Sequence, residues 1–248
     1  MSVFDQQMLA RNFPRDSFGD IKQDEQNMAR RVIDLTFPIH EGMTTFPTYW
    51  HPFVEVTILG RHGIENRETR KLVLGTHTGT HCDAPRHFIP GGKTIDMLSL
   101  DTLVGPAFMV DFSACKPLQE IGVDDFKRQL GDRRPKRLVM RFDWSDRWGK
   151  MDYYTGNPFL SQDAAQWLVS RGVKLLGMDT PMPDDPRRTP QSNVDSPIHK
   201  VFLGNEVVLV EYLCNLRELS RPEFELVVLP LKLRDGDGAP CRCVAIDQ

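Results

Sequence analysis

The sequence predicts a strand-rich α/β protein without an internal repeat. Three observations carry that reading: a long succession of short Val-, Ile- and Leu-rich runs, only a few segments with helix signals, and turn-forming Gly and Pro between them. So many strand-like runs exclude a helical bundle.

Residues 1–30 are polar and weakly periodic, and read as an N-terminal arm with a short helix near 22–30. Residues 31–248 read as a single domain, long enough to bury a core without covalent staples. Strand-like text begins at 32–36, is interrupted by a Pro- and Gly-punctuated loop through Gly42 and Pro47, and resumes at 54–59 and 69–76. Further strands are expected at 104–112, 137–142, 173–178, 206–213, 225–232 and 241–246, the last containing Cys241-Arg242-Cys243 in an alternating pattern. The clearest helix has Ser161 as N-cap, Asp163 in its first turn, Ala164, Ala165, Trp167 and Leu168 on its apolar side, and Gly172 just past its end. A shorter helix spans Asp124 to Leu130, and Ser196-Pro197 opens one that stops near Gly204, with proline at the first helical position. Two proline-rich connectors, 142–158 and 181–197, have the length of active-site loops.

Composition is that of an ordinary soluble globular chain, with 26% charged and 40% hydrophobic residues and a net charge of −3. Basic clusters such as Arg133-Arg134-Pro135-Lys136-Arg137 are short and flanked by acids, so no nucleic-acid partner is expected. No apolar run approaches the roughly 20 residues of a membrane helix, and no secretory leader is legible at the start. Five cysteines without framework spacing point to reduced thiols and a cytoplasmic location.

The densest chemistry is in HTGTHCDAPRHF, residues 77–88. His77, His81, Asp83 and His87 share one parity around Gly79. A metal needs its ligand atoms within about 2.0 to 2.2 Å of one centre, whereas positions four apart on a straight strand are separated by roughly 13 Å. Thr76, Thr78, Gly79, Thr80 and Pro85 make a helix unfavourable. A strand that bends at Gly79, where a missing Cβ allows the turn, solves the spacing and sends Thr80 and Cys82 to the other face.

These residues resemble the His-x-Gly-Thr-His-x-Asp-x-Pro-x-His signature of the metal-dependent cyclase family of hydrolases, which includes bacterial kynurenine formamidases and isatin hydrolases. The likeness extends to VIDLTFPIHEGMTTFP, GVKLLGMDTP and IHKVFLGNEVVLVEYLCNL, leaving only about the first 30 residues outside it. It implies a mixed-sheet, β-barrel-like core flanked by helices, assembled as a homodimer or homotetramer. It also implies His77, His81 and Asp83 as metal ligands, His87 as the acid/base, and His199 with Glu211 completing a second metal position. The residues support that last pair separately: Glu211 shares a strand face with Val207, Leu209 and Leu213, where a carboxylate is costly unless it meets a cation or sits at a sheet edge. Imidazoles and carboxylates without thiolates suit one or two Zn²⁺ or Mn²⁺ ions.

The expected reaction is hydrolysis of a small amide, with metal-activated water attacking the carbonyl and His87 moving the proton. Aromatic residues after the first strand (Phe46, Tyr49, Trp50, Phe53) and in the first connector (Trp144, Trp148, Tyr153, Tyr154) suit a planar substrate or, equally, a core. The arm and the extended connectors set this chain apart from compact formamidases. An aryl formamide such as N-formylkynurenine, a cyclic amide such as isatin, a cyclic imide or a lactone therefore all remain open. Two readings of other classes stand beside these: a Cys82 nucleophile, and a non-catalytic metal-dependent binding protein.

Overall fold

The computed structural model of the chain describes residues 30–188 and 195–247. The expected arm, with its helix near 22–30, lies outside the described residues apart from Arg30. In chain order the elements are β1 (Arg31–Asp34), the hairpin β2 (Glu55–Gly60) and β3 (Thr69–Val73), β4 (His81–Asp83), α1 (Leu100–Leu103) and β5 (Val104–Asp111). Then come β6 (Glu120–Ile121), α2 (Val123–Leu130), β7 (Arg137–Arg141), α3 (Asp152–Thr155), β8 (Phe159–Leu160) and α4 (Gln162–Ser170). The last elements are β9 (Leu175–Met178), α5 (Pro197–Gly204), β10 (Val208–Glu211), β11 (Glu223–Pro230) and β12 (Gly238–Asp247).

The main sheet runs β12-β11-β5-β7-β9-β10-β4 and closes on itself where β4 returns to β12, giving a mixed barrel of seven strands. Strands β5, β7, β9 and β10 are mutually parallel, and each crossover between them carries a helix, as parallel neighbours require. The other barrel contacts are antiparallel. Closure depends on the length of β12: its first residues, Gly238 to Pro240, pair with β4, while Val244 to Asp247 pair with β1 on the same edge.

Alternation sorts the side chains into two cores. One faces the barrel axis and draws on all seven strands, including Cys82, Ala107, Val139, Leu175, Val210, Leu226, Ala239, Cys241 and Cys243. Many of these are small, as a narrow barrel interior demands. The other lies between the outer face of β5, β7, β9 and β10 and the helices, where Val110, Met140, Leu176 and Leu209 meet Phe126, Leu168 and Phe202. The helix signals behave as expected: the Ser161 hydroxyl accepts from the Ala164 N–H at 3.1 Å, and Gly172 ends the segment at φ +88°.

Three local expectations are corrected. Strand text at 69–76 ends at Val73, and residues 77–80 form a loop. Gly79 does bend, at φ +60°, but only His81–Asp83 is strand, and Pro85 then starts a 3₁₀ turn that carries His87. Leu213 does not share Glu211's face. Tyr212 adopts a left-handed backbone at φ +58°, so the alternation breaks and Leu213 packs with the barrel interior.

Gly238 marks the tightest contact between the closing strands. A Cβ there would lie 2.7 Å from the Cys82 carbonyl oxygen and 2.8 Å from His77 Cε1. Gly238→Ala is expected to force β4 and β12 apart and to lower stability by about 1 to 3 kcal/mol. Chemical denaturation of the metal-free protein measures it.

Candidate metal centre

The barrel seam brings the six predicted site residues together. Register pairs His81 of β4 with Glu211 of β10, so the two project from the same outward face, opposite to Cys82 and Val210. Helix α5 crosses this face and supplies His199, the Gly79 loop supplies His77, and the turn begun by Pro85 supplies His87. His81, Asp83, His199 and Glu211 are buried at 1%, 1%, 6% and 4% exposure.

Asp83 is the shared member. Its Oδ1 lies 2.8 Å from His77 Nδ1 and 3.2 Å from His81 Nε2, and its Oδ2 lies 3.5 Å from His199 Nε2. Glu211 stands opposite, with Oε2 3.6 Å from His81 Nε2 and Oε1 3.2 Å from His199 Nε2. The donor atoms therefore form two groups, His77/Asp83/His87 and His81/Asp83/Glu211, each with all its atoms within 4.8 Å of one another. This division differs from the expected one, in which His77 and His81 belong to the same group.

Each of the three histidines expected to ligate is held by its far nitrogen. His81 Nδ1 donates to the Gly79 carbonyl at 2.8 Å, so the backbone bend and the ring orientation are set together. His199 Nδ1 donates to Asp184 Oδ2 at 2.5 Å, and His77 Nε2 to Asp237 Oδ2 at 2.8 Å. The remaining nitrogen of each ring faces Asp83 or Glu211. In a neutral imidazole with one nitrogen donating, the other offers a lone pair, so acceptors converge on acceptors. Asp83 Oδ2 and Glu211 Oε1 are sealed from solvent and receive no hydrogen bond. Only positive charge placed between them satisfies this arrangement: a proton on the rings, or a divalent cation bound by histidine and carboxylate.

Without a cation the protons take that place. Burial works against a charged His77, yet the Asp83 and Asp237 carboxylates outweigh it and raise the ring to about 10. His199 is also raised, against burial, by Asp184, Asp83 and Glu211. Asp83 is held well below the carboxylate range by His77, His87 and His199 in spite of its burial. Glu211 is pushed up by burial and by Asp83.

Three neighbours carried no usable signal in the sequence. Asp237 also lies 3.4 Å from His87 Nδ1, but Asp-Gly in RDGDGAP reads only as a turn. Asp184 is one of three aspartates in the second connector. His51 packs 6.0 Å from His77, ring to ring, and is lowered to about 4 by burial and then by the neighbouring histidines. The aromatic residues divide. Trp148 stacks on Phe37 at 4.5 Å and meets Tyr212 at 5.6 Å, while Tyr154 meets Phe46 at 5.8 Å and Tyr212 lies 5.4 Å from His81. Tyr49, Trp50 and Phe53 remain exposed. Cys82 is fully buried in the barrel interior, its thiol pushed up by burial and by Cys241, and faces away from the histidines.

A closed mixed barrel with a carboxylate shared between two histidine-bearing groups has the donor set of a divalent-metal centre. Residues 33–185 match the Cyclase family, described as "Putative cyclase", and the chain belongs to that family. It is 29% identical over 213 residues to the kynurenine formamidase of Bacillus cereus, covering 86% of this chain and 95% of that one. Its fold superposes on isatin hydrolase A from Ralstonia solanacearum with a TM-score of 0.79 at 25% identity, over 88% of this chain and 92% of the other. A structure described as a predicted metal-dependent hydrolase from Bacillus stearothermophilus matches with a TM-score of 0.70 at 27% identity, over 89% and 100% of the two chains.

In the metal-free chain the Glu211 carboxylate depends on the ring protons for its charge balance, and burial and the nearby Asp83 both work against its ionised form. Glu211→Gln is expected to relieve the repulsion between two buried carboxylates, so that metal-free stability does not fall, and to abolish the further stabilisation that added Zn²⁺ or Mn²⁺ gives. Thermal melts with and without metal read both effects.

Proposed function

We propose that the chain is a metal-dependent amidohydrolase acting on a C–N bond other than a peptide bond, in an aryl formamide such as N-formylkynurenine or in a cyclic amide. The observation that carries this reading is the Asp83 carboxylate shared by two groups of histidine and carboxylate donors, with His87 at their edge. His77, His81 and Asp83 would hold one ion and His199 with Glu211 would complete a second position, for Zn²⁺ or Mn²⁺. When bound, such a cation supplies Lewis acidity that polarises a carbonyl and makes water a better nucleophile near neutral pH.

His87 supplies the proton chemistry. Burial lowers its pKa, and the opposing pull of Asp83 and Asp237 does not restore it, so the ring is neutral at neutral pH. Asp237 Oδ2, 3.4 Å from Nδ1, favours the proton on that nitrogen and leaves Nε2 as the base. Nε2 takes a proton from the attacking water and returns it to the leaving nitrogen as the C–N bond breaks. Trp148 and Tyr154, the latter against Phe46, cluster around Tyr212, whose ring lies 5.4 Å from His81, and aromatic rings so close to the donors support a planar substrate. The likeness to an isatin hydrolase supports the alternative that the amide is cyclic, with a cyclic imide or lactone as variants.

The proximity of His87 to His77 and Asp83 favours one rival role, that of a metal ligand. Exposed Tyr49, Trp50, Phe53, Ile58, Leu59 and Leu72, on the loop before β2 and on the β2–β3 hairpin, support a homodimer or homotetramer. The five free thiols support a cytoplasmic setting. Among the described residues no helix is long and apolar enough to cross a membrane.

A panel of aryl formamides, isatin and cyclic imides, assayed before and after chelation, tests the proposal. Metal-dependent turnover of one of these is expected, and metal binding without any turnover would instead favour a binding protein. His87→Ala is expected to lower kcat by roughly 10²- to 10⁴-fold with full metal content, whereas His81→Ala loses metal. Loss of an ion from His87→Ala would make it a ligand.

A further inference from the structure

We infer that Asp184, a residue outside the signature, is a positioning residue that fixes the tautomer of His199 and thereby creates the second metal position. The inference rests on the two-position reading given above. Asp184 is 3% exposed and lies in the connector before α5. Its Oδ1 accepts from the Ile198 N–H at 2.7 Å, and its Oδ2 accepts from the His199 N–H at 3.1 Å and from His199 Nδ1 at 2.5 Å. One carboxylate thus caps the helix and holds the ring that the helix carries.

The cap comes from this distance because the local residue cannot provide it. Ser196 precedes Pro197 but is in the left-handed region, at φ 44°, and its hydroxyl donates to Asp195 instead. Asp184 is itself fixed through its backbone: its carbonyl accepts from Asn157 Nδ2 at 3.3 Å, and the neighbouring Pro183 carbonyl accepts from the Leu160 N–H at 2.9 Å. The connector is anchored to β8 before it reaches the helix.

An ionised carboxylate only accepts, so His199 Nδ1 must carry a hydrogen and the lone pair must be on Nε2. Nε2 is the nitrogen that faces Glu211 Oε1 at 3.2 Å and Asp83 Oδ2 at 3.5 Å. The opposite tautomer would place a hydrogen there and block coordination. Carboxylate partners of this kind orient and strengthen imidazole ligands, and their removal typically weakens metal affinity about 10- to 100-fold.

Asp184→Asn tests the assignment. The amide oxygen can keep the bond from Ile198, while the NH₂ group turns a donor toward Nδ1 and favours the hydrogen on Nε2. Calorimetric titration of the chelated chain with Mn²⁺ and with Zn²⁺ is expected to find two ions on the wild type, and on Asp184→Asn one ion of unchanged affinity and a second weakened about 10- to 100-fold. The metal-free melting temperature of Asp184→Asn should stay closer to wild type than that of Asp184→Ala, which loses the cap as well. Two ions bound to Asp184→Asn with wild-type affinities would overturn the inference. So would equal loss of both ions in Asp184→Asn accompanied by a metal-free melting temperature as low as that of Asp184→Ala, because Asp184 would then be a structural cap only. A wild type that takes up a single ion would instead overturn the two-position reading on which the role of Asp184 depends.

Discussion

Two buried carboxylates presented to the same imidazoles set the terms for everything around them. Asp83 and Glu211 come from adjacent strands, Glu211 opposite His81 and Asp83 opposite Leu209, so the register sets the two carboxylates diagonally on one face. Their attraction for positive charge is large because water is excluded, and their mutual repulsion is large for the same reason. The chain answers with histidines on three sides, each tethered at its outer nitrogen. The result is stable only when positive charge is supplied, as expected where function is favoured over stability.

The barrel explains why the centre lies on the outer face of the seam. Its interior is narrow and is filled by small side chains, Cys82, Ala107, Ala239, Cys241 and Cys243 among them, leaving no room for a cluster of imidazoles. Alternation along β4 then assigns Cys82 to the interior and His81 and Asp83 to the outer face, where α5 can lie across them. Gly238 completes the geometry from the other side by letting β12 pass against His77 without a side chain between them. The same narrowness accounts for the buried cysteines, which act as small hydrophobic groups, and burial pushes the Cys82 and Cys243 thiols up.

Much of this was legible from local signals and some of it was not. Most long strands and the Ser161-capped helix follow from periodicity and capping, which depend on residues near one another in sequence. The Gly79 bend was legible because a straight strand keeps His77 and His81 too far apart to meet one ion, although the structure then places them in separate groups joined by Asp83. The break at Tyr212 was not, since a left-handed tyrosine has no sequence mark, and it moved Leu213 to the opposite face. Nor was the turn that carries His87, which Pro85 makes possible but does not require. Asp184 and Asp237 were invisible for a different reason. Their meaning comes entirely from what they touch, 14 or 15 residues away for Asp184 and 160 for Asp237, and nothing in their own surroundings records it.

The two halves of the cluster differ in exposure, and that difference bears on how the work is divided. His81, Asp83, His199 and Glu211 are sealed beneath α5, whereas the His87 and Asp237 side chains are 24% and 38% exposed. The second pair is open to solvent and the first is not. The sealed half therefore acts through charge and position, and the open half is where bonds can change. Holding His87 between Asp237 and the ring of His77, 3.8 Å away, keeps a titratable group at that boundary, with the Phe88 ring 4.5 Å from it on the chain's own turn. A flat carbonyl compound suits that boundary, because it can present its carbonyl at the open edge of the cluster without entering the sealed half.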